Sequence, residues 1–258
     1  MEKLSVVIIT LNEERNIGRC LASVSGLADE VLVIDSFSTD STEEICLAAG
    51  ARFEKNPFAG YIEQKTLAIS RASYPYVLSL DADEALSAEL KSAVLAEKSL
   101  GFPAKAYQMN RLTNYCGKWI FHCGWYPDRK IRLYHRDFAR IEGQNPHDKV
   151  VATPEAGKVV QLKGDLLHYS YYEVSEHYRQ ADRFATIAAK ALLKKGKKSS
   201  YALATMKTVA KFVRNYLIKH GFLDGRAGLT ICRISALETW WKYSRLIHFQ
   251  KAAHDPNQ

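Results

Sequence analysis

Tyr76-Val77-Leu78-Ser79-Leu80-Asp81-Ala82-Asp83-Glu84 is a short, mostly apolar run that ends in three acids. A brief apolar segment bounded by charge predicts a buried strand. In open α/β sheets, ligands occupy the crevice beyond the carboxyl ends of the strands. Carboxylates placed there escape the desolvation cost of a buried, unpaired charge. Hard oxygen ligands at this spacing suit Mg²⁺ or Mn²⁺ held together with a diphosphate. The same residues also fit a solvated acidic turn before a helix capped by Ser87, so the neighbouring sequence has to decide.

Upstream, Leu4-Ser-Val-Val-Ile-Ile9 predicts a first buried strand, left through Thr10-Leu11-Asn12. Ile17, Cys20, Leu21 and Val24 fall at i, i+3, i+4 and i+7, one apolar helix face. Glu30 to Asp35 predicts a second strand that also ends in an acid, followed by the polar turn Ser36–Asp40. Ser41-Thr-Glu-Glu44 is a capping box, and Gly50 closes its helix. Arg52-Phe-Glu54 is a candidate third strand, and 60–72 reads as a helix. This alternation implies a largely parallel sheet with helices on both faces.

Downstream of Pro103 the pattern changes. Residues 105–111 and 130–134 alternate as later strands, joined by an aromatic loop from Tyr115 to Tyr126. Residues 141–149 are polar and read as a loop, and 158–162 as a last strand ending near His168. From Glu173 the chain reads as helical, in segments to about Lys195, from Ser200 to His220, and on to His248. The expected division is a body over 1–170 and a helical extension over 171–258.

The chain has 258 residues, 47% hydrophobic and 25% charged, within the ordinary globular range. Five widely spaced cysteines, with no Cys-x-x-Cys pair, fit a reduced cytoplasmic setting. No signal peptide or spanning helix is expected. The net charge of +8 is uneven: 1–170 holds 20 Lys+Arg and 22 Asp+Glu, 171–258 holds 16 and 6. A basic extension on a near-neutral body points to a polyanionic partner. Lys207, Lys211 and Arg214 form a basic stripe beside Leu203, Met206, Val209, Ala210, Val213, Tyr216 and Leu217. That pattern suits an anionic membrane surface, or an apolar stripe packed on the body with solvated lysines. No nucleic-acid reading motif is present, so no nucleic-acid partner is expected.

Several motifs agree on one family. Leu4 to Glu14, Val33-Ile-Asp35 and Asp81-Ala-Asp83-Glu84 resemble the opening, first acid and Asp-x-Asp of family 2 inverting glycosyltransferases with the GT-A fold. Gly124-Trp-Tyr-Pro-Asp-Arg-Lys-Ile-Arg-Leu-Tyr134, His147-Asp148 and Gly221-Phe-Leu-Asp-Gly-Arg-Ala-Gly228 resemble the lipopolysaccharide core β-1,4-glucosyltransferase branch. The resemblance implies an enzyme moving a sugar, glucose from UDP being the expected donor, to a lipopolysaccharide inner-core or other glycolipid acceptor. It implies work at the inner face of the cytoplasmic membrane. It assigns Thr10, Asn12 and Glu14 to the nucleotide pocket, Asp35 to the base, Lys65 to the nucleotide, Asp81 to the ribose and Asp83 to Mg²⁺ or Mn²⁺. Thr66 stands where the family commonly has Asn, and Asp148 where the branch more often has Glu.

Inverting transfer needs a base for the acceptor hydroxyl and a means of carrying charge on the departing diphosphate. Asp148 is the expected base, with Glu142 and Asp137 as alternatives. Arg129 and Arg132 are candidate phosphate contacts. Trp125, like Trp119 and Tyr126, suits either stacking on a sugar or core packing. His147 and His168 read as structural histidines. Cys116, His122 and Cys123 lack the pairing of a zinc site. A polyprenyl-phosphate acceptor, or a non-catalytic nucleotide or membrane binder, are the competing readings.

Overall fold

The computed structural model describes residues 2–144 and 147–252, which fall into two units. A sheet unit takes in the chain to Leu112 together with Pro127–Tyr169. A helical unit takes in Thr113–Tyr126 together with the chain from Ser170. The aromatic stretch 113–126, expected to belong to the body, therefore packs with the helices.

In the sheet unit the elements run β1 (Leu4–Thr10), α1 (Ile17–Val24), β2 (Glu30–Asp35), α2 (Thr42–Ala48), β3 (Arg52–Lys55), α3 (Tyr61–Arg71) and β4 (Tyr76–Asp81). β5 (Glu84–Leu86) and α4 (Ala88–Ser99) follow, with Ser87 capping α4 through its side chain. β6 (Ala106–Tyr115), β8 (Asp128–His135), β9 (Ala139–Gln144), β10 (His147–Ala152) and β11 (Val160–Tyr171) follow, while the short β7 (Lys118–Ile120) falls in the helical unit. The main sheet has the order β3-β2-β1-β4-β8-β6-β11-β5, with β7 on β6.

The first four strands in that order are parallel. β8 then pairs antiparallel with both β4 and β6, and β11 antiparallel with β5. The α/β class is as expected, but only half of the sheet is parallel. The parallel half follows from its sequence. Val6 and Ile8 face one way onto Ile17, Cys20, Leu21 and Val24 of α1 and Leu90 and Val94 of α4. Val7 faces the other way, onto Ala68 and Ala72 beside α3. Strands covered on both faces read as continuous apolar runs.

Strand order reverses between β1 and β4, since the chain winds outward from β1 to β3 and then crosses back. Such a reversal opens a crevice at the carboxyl ends. Register brings Thr10 level with Asp35, and Ile9 level with Asp81, at that edge.

The polar residues 141–144 and 147–149, expected in a loop, are strand. β9 and β10 pair antiparallel, with Asp148 opposite Gly143. Their inward side carries Ala139, Val150 and Ala152 against the α3 face of the core. That alternation holds the segment as strand despite its charge. The last strand is also longer than expected, reaching Tyr171 through His168. Pro146, expected to stiffen the approach to Asp148, lies outside the described residues.

The helical unit holds α5 (Val174–Lys194), α6 (Tyr201–Val213) and α7 (Gly225–Ala252), with a π-helical turn at Arg214–Ile218 between the last two. A reciprocal box of Glu173 and Glu176 opens α5. Tyr115, Ile120, Cys123, Ile231 and Cys232 form the core, joined by Trp125, Tyr171, Phe212 and Tyr216. Gly221 and Gly228 let the chain cross itself there. A Cβ on Gly228 would lie 1.9 Å from the Gly221 carbonyl oxygen. The motif from Gly221 to Gly228 thus has an architectural cause. No described helix is long and apolar enough to cross a membrane.

Candidate active site

The crevice at the strand reversal is a cavity of about 360 Å³. Thr10, Leu11 and Glu13 form one wall, Asp81, Ala82 and Asp83 another, with Ser36 and Gln64 beneath. Phe58 and Tyr61 stand at its edge, largely exposed, their rings 5.1 Å apart edge to face. The Thr10 hydroxyl is buried and has no hydrogen-bond partner. An unsatisfied buried hydroxyl on a cavity wall is a place for a ligand's polar atom.

Asp83 and His168 meet at this cavity, Oδ2 to Nε2 at 3.2 Å. The contact is built by strand pairing. β11 sets His168 opposite Glu84, and the Tyr169 amide donates to the Asp83 carbonyl at 2.9 Å. A carboxylate and an imidazole on one cavity wall could hold a divalent ion only if water and phosphate supplied its remaining ligands. Among the described residues no cluster of three His, Cys, Asp or Glu ligands exists. The residues thus fit an ion shared with a diphosphate and do not fit a closed structural site. The sequence expectation for His168 was structural; its place beside Asp83 comes from a strand pairing 85 residues distant.

Asp81 is differently occupied. Lys65 Nζ lies 3.0 Å from its Oδ1, and Arg132 Nη2 2.8 Å from its Oδ2. Arg132 also reaches Glu84 at 2.7 Å, and Glu84 accepts the Asp81 amide at 3.0 Å. Burial pushes the Asp81 carboxyl up, but the charges of Lys65 and Arg132 outweigh it and hold it well below the usual carboxylate range. Asp81 is therefore an ionised, braced wall residue. Arg132, expected to face phosphate, is buried and spends its charge on these two acids.

Lys65 continues the chain of charge to Asp148, its Nζ 2.9 Å from Oδ2. The Asp148 side chain is 11% exposed and does not line the cavity. The structure thus connects Asp148 to Asp81 through one lysine. The alternatives are less engaged: Glu142 pairs with Arg140 at 2.6 Å, and Asp137 is largely exposed.

Asp35, Asn12 and Glu14 sit behind the wall. Both oxygens of the fully buried Asp35 accept from Ser38, holding the turn after β2. Asn12 accepts the Thr39 amide at 2.8 Å, and Glu14 the Ser41 amide at 3.0 Å. These residues stitch the loops after β1 and β2 together instead of facing the cavity. Glu13, not singled out in the sequence, is the acid that faces it. Burial raises its pKa to about 7; Asp83, Asp40 and Asp81 add to the rise, against a hydrogen bond from Asn16. Asn12 adopts φ 53°, and this turn decides which of two adjacent glutamates points inward.

Arg129 is exposed on β8. Trp125 belongs to the helical unit, where its ring packs against Tyr115, Tyr171 and His177. That is the core-packing role. Cys123 and His122 meet the buried Asp224 rather than forming a metal group.

Comparison with known proteins identifies the family. Residues 5–149 match the family described as Glycosyl transferase family 2. An uncharacterized glycosyltransferase of Rickettsia typhi is 33% identical over 95% of this chain and 87% of its own length. The lipopolysaccharide core biosynthesis glycosyltransferase LpsC of Rhizobium meliloti is 26% identical, covering 93% of both chains. Glucosyl-3-phosphoglycerate synthase of Mycolicibacterium paratuberculosis shares 51% identity over 53 residues, 19% of this chain and 16% of its own.

Proposed function

Because the chain belongs to glycosyl transferase family 2, we propose that its cavity binds a UDP-sugar with Mg²⁺ or Mn²⁺ and transfers the sugar with inversion to a lipopolysaccharide-core acceptor. The observation that carries this is the meeting of Asp83 and His168 at the mouth of the strand reversal, opposite an unsatisfied Thr10 hydroxyl. Likeness to LpsC supports the acceptor class, and the stretch shared with a glucosyl-transferring synthase supports glucose.

Asp83 and His168 would hold the divalent ion, which when bound supplies Lewis-acid stabilisation of the departing diphosphate. Thr10 offers its hydroxyl to the nucleotide, and Phe58 and Tyr61 offer ring faces to the base. Lys65 and Arg132 keep Asp81 ionised and fixed. Asp148 takes the acceptor proton on a carboxylate oxygen while the acceptor oxygen bonds to the anomeric carbon and the bond to the diphosphate breaks on the opposite face. Lys65, 2.9 Å from Oδ2, holds that carboxylate in place.

The test is hydrolysis and transfer from a panel of sugar nucleotides. Activity with UDP-glucose should need Mn²⁺ or Mg²⁺ and disappear in EDTA. Asp83→Asn and His168→Ala should each raise the metal concentration for half-activity at least tenfold, as loss of a ligand does. Full activity in EDTA, or in both variants at low metal, overturns the assignment.

A further inference from the structure

α6 packs Phe212 on the core of the helical unit, with Tyr216 just beyond it, yet leaves a second apolar row uncovered. Its inward face carries Ala204, Thr208, Lys211 and Asn215, all at least half-buried. At 100° per residue, Met206, Val209, Val213 and Leu217 cluster on the opposite face. These four are between 39% and 60% exposed. Ile218, Phe222 and Leu223 extend the same exposure beyond the helix. Even the expected basic stripe is split, since Lys211 points inward and burial pushes its ammonium pKa down. A sequence that buries a lysine and displays valine, methionine and leucine is not folding that face for water.

We propose that this ridge docks in the interface of an anionic membrane, the helix lying in the plane of the surface. The charge around the ridge selects that occupant. Lys207 and Arg214 are exposed along its flank, and Lys219 at its end. From Arg183 to Leu223 the sequence holds ten Lys and Arg and no Asp or Glu. A second copy of the same ridge would bring like charges together. An apolar centre flanked by cations matches an acyl boundary under acidic headgroups. The helix lies on the surface, since no described helix suits crossing it. The docking rests on this surface alone, and the proposed transfer reaction supplies its use, since a glycolipid acceptor resides in such a membrane.

Flotation of the full chain with phosphatidylcholine vesicles, with and without 30 mol% phosphatidylglycerol, tests the proposal. The protein should float with the anionic vesicles and remain behind with the neutral ones. Met206→Ser/Val209→Ser/Leu217→Ser should lower partitioning at least tenfold with unchanged circular dichroism. Each cation at an anionic surface is worth roughly fivefold, so Lys207→Glu/Arg214→Glu should lower it about tenfold or more and serves if the serine variant misfolds. Absence of flotation by the unmodified protein overturns the proposal, as does undiminished binding by a folded variant. A dimer dissolved by the serine changes, with no vesicle affinity, would make a second copy the occupant. Donor hydrolysis by soluble protein should be unchanged in these variants. Absence of hydrolysis from the unmodified protein, with its flotation intact and lost in the variants, would remove the transferase reading and leave the docking standing.

Discussion

Glu13 is held back from ionising chiefly by its burial, and further by the nearby charges of Asp83, Asp40 and Asp81. Its pKa is ordinarily 4.5 and stands at about 7 in the folded chain. The folded state therefore holds a proton that the unfolded state has released between those values. Stability falls as pH rises from about 4.5 to 7, and the full penalty persists above. Glu13→Gln keeps an acceptor for Asn16 and removes the charge. Discounted for partial exposure, the gain at pH 8 should be about 1 kcal/mol. The melting temperature should rise by roughly 2–4 °C at pH 8 and hardly change at pH 4.5. Equal shifts at both values would show that charge is not the cause. Asp148 tests the chemistry instead. Asp148→Asn should lower transfer turnover by about 10²-fold, the usual cost of losing a general base. Donor affinity should hold, because Thr10, Asp83 and His168 are untouched. Asp148→Glu should restore part of the rate. Lost donor affinity in the Asn variant would recast Asp148 as a clamp for Lys65.

At the scale of elements, α5 carries a buried histidine. Burial holds the His177 pKa down at about 4, with the Tyr115 hydroxyl 3.2 Å from Nδ1. Unfolding lets that ring take a proton near pH 6.5. Its contribution to stability is complete above pH 6.5 and is lost as pH falls toward 4. All four tryptophans lie in the helical unit, so their fluorescence follows that unit alone. The denaturation midpoint read by fluorescence should drop between pH 6.5 and 4.5, and His177→Phe should flatten the drop. An unchanged pH dependence in that variant would assign the acid sensitivity elsewhere. The elements themselves were unevenly legible. β1, β2 and β4 announce themselves because strands covered on both faces need unbroken apolar runs. The paired strands β9 and β10 hid behind their charged residues, since few apolar side chains, among them Ala139, Val150 and Ala152, face inward. α6 left two outcomes open, because periodicity finds an apolar face but does not say whether protein covers it. Asp83 was visible as a motif, whereas His168 joins it through pairing of distant strands. Glu13 was obscured by its neighbour Glu14, because a local turn decides between them.

At the scale of the molecule, the helical unit is assembled from two separated stretches of chain. Tyr115, Ile120 and Cys123 come from the first, Ile231 and Cys232 from the second. A chain ended at Tyr169 keeps the first stretch and loses the residues that cover it. Such a chain should express mainly as aggregate, or bind a hydrophobic dye strongly if soluble, because an uncovered apolar patch associates. A soluble, monomeric product without dye binding would show that 113–126 is stable alone. The same interruption has a meaning in time. Residues 113–126 emerge from the ribosome about a hundred residues before α7, an interval of roughly 5–20 s at ordinary translation speed. Throughout it, Ile120 and Cys123 wait for partners that have not yet been made. Soluble yield should therefore depend on how fast the message is read between codons 127 and 225, and slow synonymous codons there should lower it while leaving the finished protein unaltered.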